Sequence, residues 1–200
     1  MTYIKTALIL GSACTILACT PSAPPEADSA ETEAMSQVEV MPDSTEIPEV
    51  EALVRDIKMA DGTTLGSVSL TDLAEGGIQV TISISGLDGA GTHAMHFHEK
   101  GLCEAPGFTS SGGHFNPTNV SHGTMSPDGP HAGDMMNIEV TSDGIGTLTV
   151  VNERVSIRGD YGLPALIDDD GAALIIHEKA DDFTTQPTGA AGGRIGCAVL

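Results

Sequence analysis

Two hundred residues suit one ordinary domain with extensions. Acidic side chains outnumber basic ones 28 to 8, which argues against a nucleic-acid partner, because little here could neutralise a phosphate backbone. Aromatic residues make up 3% and Trp is absent, so a core must be built from Val, Ile, Leu, Ala and Met.

In chain order, residues 1–18 read as a targeting leader. Lys5 supplies the positive start and TALILGSACTILA the apolar stretch, which is too short for a comfortable membrane span. The run ILAC at 16–19 looks like a bacterial lipobox, which makes Cys19 the lipidation site and the new N-terminus. Thr20 in place of Asp resembles the sorting pattern of outer-membrane lipoproteins in Gram-negative bacteria. The expectation is an exported chain in the periplasm, anchored to the outer membrane through Cys19. An ordinary secretory signal, cleaved near Ala23, is the other reading. Residues 19–51 hold nine acidic and no basic residues among repeated Pro, Ala and Ser. Such a composition buries too little apolar surface to fold, and predicts an extended acidic tether.

The folded domain is expected over 52–200. Ala52–Met59 reads as a strand ended by Asp61-Gly62, and LGSVSL as another, followed by the Gly76-Gly77 turn. IQVTISIS alternates strictly, with Ile78, Val80, Ile82 and Ile84 on one face, the period of a half-buried strand. MNIEVT and GTLTVV flank Asp143-Gly144, a hairpin signal. Short strands at even spacing with Gly turns predict an all-β antiparallel sandwich or barrel. Between Gly101 and Asp134 strand pattern gives way to Gly, Ser and Pro, and so long an irregular segment inside a domain points to function. Of the four cysteines, Cys14 falls in the leader and Cys19 at the anchor. Cys103 and Cys197 remain, and in an oxidising compartment a disulfide is the expected state, worth on the order of 4–5 kcal/mol in the chain-entropy model. Two buried free thiols are the alternative.

All seven histidines fall between 93 and 177. His96 and His98 are two apart on a strand, so their side chains share a face and can share a metal. His93 counts to the opposite face and reads as a hydrogen-bonded packing histidine. His114 lies in GGHFNP, His122 in SHGT, His131 and Asp134 in HAGD, and His177 in ALIIHEK.

Together these segments resemble the copper/zinc superoxide dismutases, over roughly residues 52–200. The resemblance implies an antiparallel Greek-key β-sandwich or barrel, immunoglobulin-like, with long metal-binding loops. It implies one copper per chain on His96, His98, His114 and His177, and one zinc on His114, His122, His131 and Asp134, with His114 bridging the two. Four imidazoles suit Cu(II), and a closed four-coordinate N/O set suits structural zinc. The implied activity is dismutation of superoxide to dioxygen and hydrogen peroxide, with His114 taking up a proton during the cycle. Asp181 matches an aspartate that hydrogen-bonds one histidine of each metal, here His96 and His122. Arg194 matches the active-site arginine beside copper, and Thr188 the threonine at the channel rim. Ala94 and Met95 replace a common Gly-Phe, residues 163–172 read as longer and more acidic than usual, and a homodimer is left open. A copper-storage protein on the same fold is the rival function; it would not need Asp134, Asp181 and Arg194 in register. From residue 52 onward 19 acidic residues face 7 basic ones, an awkward balance for an anionic substrate. Since fields decay over about 8 Å at physiological ionic strength, the expectation is little long-range guidance beyond Arg194 and the metals.

Overall fold

The computed structural model describes residues 51–200. The leader, Cys19 and all but the last residue of the acidic tether lie outside the described residues. Nine strands follow in order: β1 Leu53–Lys58, β2 Thr64–Asp72, β3 Ile78–Ser85, β4 Gly91–His93, β5 Met95–His98, β6 Ile138–Val140, β7 Ile145–Asn152, β8 Ala173–His177 and β9 Arg194–Val199. Among the described residues the only helical pieces are short 3-10 turns at Thr109–Ser111 and Asp160–Gly162. The strands pair antiparallel throughout, in a seven-stranded sheet ordered β5-β8-β9-β1-β2-β3-β7 and a small β4-β6 ladder. This is the all-β antiparallel class read from the sequence, with the large sheet curled into a half-barrel.

The alternation of β3 is realised as written. Ile78, Val80, Ile82 and Ile84 are buried in the main core, while Gln79, Ser83 and Ser85 are exposed. Their partners Leu70 and Val68 on β2 close the same core. The hairpin at Asp143-Gly144 needs correction. The turn forms, with the Gly144 N–H donating to the Thr141 carbonyl at 2.9 Å, but its two arms join different ladders. β6 pairs with β4 and β7 with β3, so the turn is a corner between sheets. The strand read in MNIEVT also shortens to Ile138–Val140.

Strand β8 explains why its sequence does not alternate. All five residues of ALIIH are buried. Leu174 and Ile176 face the main core, whereas Ala173 and Ile175 pack on the outer side with Phe108 and Cys197. On β5, Met95 and Phe97 point into the core, which sends His96 and His98 outward beside Ile175 and Ala173. Two histidines thus occupy a sheet face that would otherwise meet water. The long segment after β5 covers that face. The expected disulfide between Cys103 and Cys197, with Cα atoms 5.8 Å apart, fastens this cover to β9.

Candidate metal centre

The free edge of β5 assembles the site. The covering segment returns to it twice: the Phe115 N–H donates to the Phe97 carbonyl at 2.8 Å, and the Phe97 N–H to the Gly133 carbonyl at 2.9 Å. These contacts set His114 opposite His98 and Asp134 opposite His96. His177 ends β8 on the other side of β5, at an irregularity in the pairing with β9. The half-buried His93 accepts no place in the cluster; its Nδ1 lies 2.9 Å from the His177 carbonyl, so it braces that strand end.

Four imidazoles converge first. His96, His98, His114 and His177 are all buried, and each offers a nitrogen within 4.8 Å of the others. His96 Nδ1, His98 Nε2, His114 Nε2 and His177 Nε2 have no hydrogen-bond partner, and His177 Nδ1 has none either. Burying so many polar atoms unpaired is unfavourable unless something else satisfies them. On three of the rings the second nitrogen is fixed: His96 Nε2 by Asp181 at 2.8 Å, His98 Nδ1 by the Gly112 carbonyl at 3.0 Å, and His114 Nδ1 by Asp134 at 3.0 Å. The free nitrogens are therefore aimed, and a metal ion fits their donor chemistry.

A second set closes around Asp134. Its carboxylate lies 3.0 Å from His114 Nδ1, 3.0 Å from His122 Nδ1 and 3.2 Å from His131 Nδ1. His131 Nδ1 and His114 Nδ1 are 3.3 Å apart. A grouping whose ligand atoms all lie within 4.8 Å of one another takes His96 in place of His131, with His114, His122 and Asp134. His96 has Nε2 committed to Asp181 and Nδ1 turned to the first set, so His131 is the better fourth member here. His114 belongs to both sets, one ring nitrogen to each.

Burial sets the charge states. It pushes His98 down to about 2, His177 to about 3 and His114 to about 4, and lowers His96 as well. These rings are neutral at neutral pH, the form whose lone pair can ligate. At His122 burial also opposes the charge, but hydrogen bonds to Asp134 and Asp181 overcome it and raise the ring to about 9. Burial would raise Asp134 and Asp181, yet their histidine partners hold both well below the usual carboxylate range.

Arg194, at the start of β9, donates from Nη1 to the Phe108 carbonyl and Ser111 Oγ, and from Nη2 to the Gly112 carbonyl at 2.8 Å. The carbonyl that orients His98 thus also holds the arginine. Thr188 is half-buried in the turn before Gly189, where its carbonyl accepts from Ala191. Several contributors carried no signal in the sequence. Asn137 brackets the Asp181 backbone, donating to its carbonyl at 3.0 Å and accepting from its N–H at 2.9 Å. Arg154 donates to the carbonyls of His131 and Asp134, and buried Asn152 to that of Ala132, so the 131–134 turn is held from behind. Gln186 contacts the His122 backbone.

Comparison with known proteins bears on this geometry. A family model described as copper/zinc superoxide dismutase (SODC) matches residues 64–200. The chain is 40% identical over 145 residues to a copper–zinc superoxide dismutase of Caulobacter vibrioides, covering 72% of this chain and 82% of that one. It is 38% identical over 141 residues to the second copper–zinc superoxide dismutase of Aquifex aeolicus, covering 70% and 81%. The crystal structure of a superoxide dismutase-like protein from Bacillus subtilis superposes with a TM-score of 0.70 at 36% identity, covering 75% of this chain and 100% of that one.

Gly189 makes the Asp181 bridge sterically possible. Its φ is +64°, and a Cβ there would fall 1.8 Å from Asp181 Oδ1 and 2.7 Å from His122 Nε2. Gly189→Ala should displace the carboxylate and weaken metal binding by about 10–100-fold, as partners that orient metal ligands do elsewhere. Competition with a chromogenic chelator measures this, and unchanged affinity would mean that Asp181 does not orient the ligands.

Proposed function

Because the chain belongs to the copper/zinc superoxide dismutase family, we propose that it converts superoxide to dioxygen and hydrogen peroxide. In this reading copper is held by His96, His98, His114 and His177, and zinc by His114, His122, His131 and Asp134. One observation carries it: His114 turns an unpartnered Nε2 to the first set and Nδ1 to the second. A storage protein would have no use for a shared ring. When bound, copper supplies the one-electron exchange with superoxide, and zinc the fixed positive charge on the far side of His114.

The residues have separable tasks. Asp134 keeps His114 Nδ1 on its own side, so Nε2 is the atom that can take and return the proton needed for peroxide. Asp181 fixes the rings of His96 and His122 together. Arg194 has Nε and one Nη2 hydrogen not engaged by the loop, enough to attract and orient a small anion. Thr188 is assigned to the channel rim, narrowing access.

For the location, the leader sequence and the disulfide support export. A bridge between Cys103 and Cys197 favours an oxidising compartment, consistent with export to the periplasm and an acyl anchor on Cys19 at the outer membrane. Cys19→Ser should move the protein from the membrane fraction to the soluble periplasmic fraction. A variant that stays in the membrane would argue against the anchor.

Loaded with copper and zinc, the chain should turn over superoxide rapidly, and His114→Ala should lose at least about a hundredfold in kcat/KM. Full occupancy by both metals with negligible turnover of the unaltered chain would instead favour a copper-binding protein. With 19 acidic and 7 basic residues from position 52 onward, long-range steering should contribute little. Raising ionic strength from about 0.01 to about 0.15 M, which shortens the Debye length from about 30 to about 8 Å, should therefore change kcat/KM by less than about threefold. A steep fall with salt would contradict that reading.

A further inference from the structure

We propose that Gln186 is a positioning residue for His122, and that the 181–189 loop works as a clasp that retains zinc. The inference rests on the assignment of His122 to zinc. Gln186 is exposed, yet its amide is fully committed. Oε1 accepts from the His122 N–H at 2.8 Å, and Nε2 donates to the His122 carbonyl at 2.9 Å. Nε2 also lies 3.1 Å from Ser126 Oγ and 3.0 Å from the Thr184 carbonyl. The same loop reaches the His122 imidazole, where Asp181 Oδ1 meets Nε2 at 3.0 Å. One loop therefore grips one ligand at its ring, its N–H and its C=O.

The grip matters because of where His122 sits. His96, His98 and His177 stand on paired strands, whose ladders fix their backbones. His122 lies in an irregular segment, and its own peptide makes no backbone–backbone bond among those of the described residues. The Gln186 amide takes the place of a ladder partner. It also leaves His122 Nδ1 aimed at the Asp134 set. The adjoining peptide is drawn into the same arrangement, since the Gly123 N–H donates to Asp134 Oδ2 at 2.8 Å and the Met125 N–H to the Phe183 carbonyl at 3.2 Å. Loosening Gln186 should release the His122 N–H and leave its carbonyl to the Ser126 hydroxyl alone, without touching the copper-side rings.

The test compares zinc release from the metal-loaded full chain to excess chelator for the unaltered protein, Gln186→Ala, Gln186→Glu and Thr185→Ala. Thr185 is the control, because its hydroxyl donates to Asp182 in the same loop and does not contact His122. Gln186→Ala should release zinc about tenfold faster. Gln186→Glu should do at least as badly, because a carboxylate oxygen would face the His122 carbonyl. Cobalt substituted for zinc should show an altered visible spectrum in both, while the Cu(II) electron paramagnetic resonance parameters and the metal-free melting temperature stay at their unaltered values. Thr185→Ala should behave as the unaltered chain. Equal release from Gln186→Ala and the unaltered protein would overturn the clasp, as would equal loss from Thr185→Ala. Failure of the unaltered chain to take up zinc would overturn the zinc assignment itself, and the clasp with it.

Discussion

The carboxylate of Asp181 is the constraint on which the metal centre depends. It joins a strand histidine, His96, to a loop histidine, His122, at 2.8 and 3.0 Å. A buried carboxylate is tolerable only when its oxygens are met by donors, and here two rings and the Phe183 N–H supply them. That requirement fixes which nitrogen of each ring is occupied and hence which is left to point inward. It also explains Gly189, since no side chain fits beside the bridging oxygen.

Support for the bridge comes from two directions. Asn137, just after the Asp134 turn, brackets the backbone of Asp181, and Gln186, just after Asp181, brackets the backbone of His122. Each loop lends a primary amide to the other. Beneath them the sheet gives rigidity: Met95 and Phe97 lock β5 into the core, so His96 and His98, which alternate with them, cannot turn inward. The disulfide and Arg194 hold the first part of the covering segment, and Arg154 with Asn152 the last.

Much of this was legible in the sequence, for definite reasons. The period of two in β3 is a direct image of one buried and one wet face. The histidines proposed as ligands were readable because each sits in a distinctive local segment, and the structure brings them together around His114 and Asp134. The hairpin at Asp143-Gly144 misled because turn chemistry specifies a reversal, not which ladder each arm joins. Gln186, Asn137 and Arg154 were invisible for a related reason. A polar side chain in an irregular segment looks the same whether it meets water or the backbone of a distant loop. Their roles depend on pairs up to 64 residues apart.

Strand β8 has a consequence for how this molecule can vary. Its residues meet the main core on one side and the Phe108 cluster on the other, so none faces solvent. A larger side chain at Ile175 would press on the covering segment, and one at Leu174 on the barrel. Substitutions in that stretch are thus tolerated mainly as compensated pairs, each matched by a change in the layer it touches. The strand that bears His177 is in this sense a partition between two packings, each of which constrains one set of its side chains.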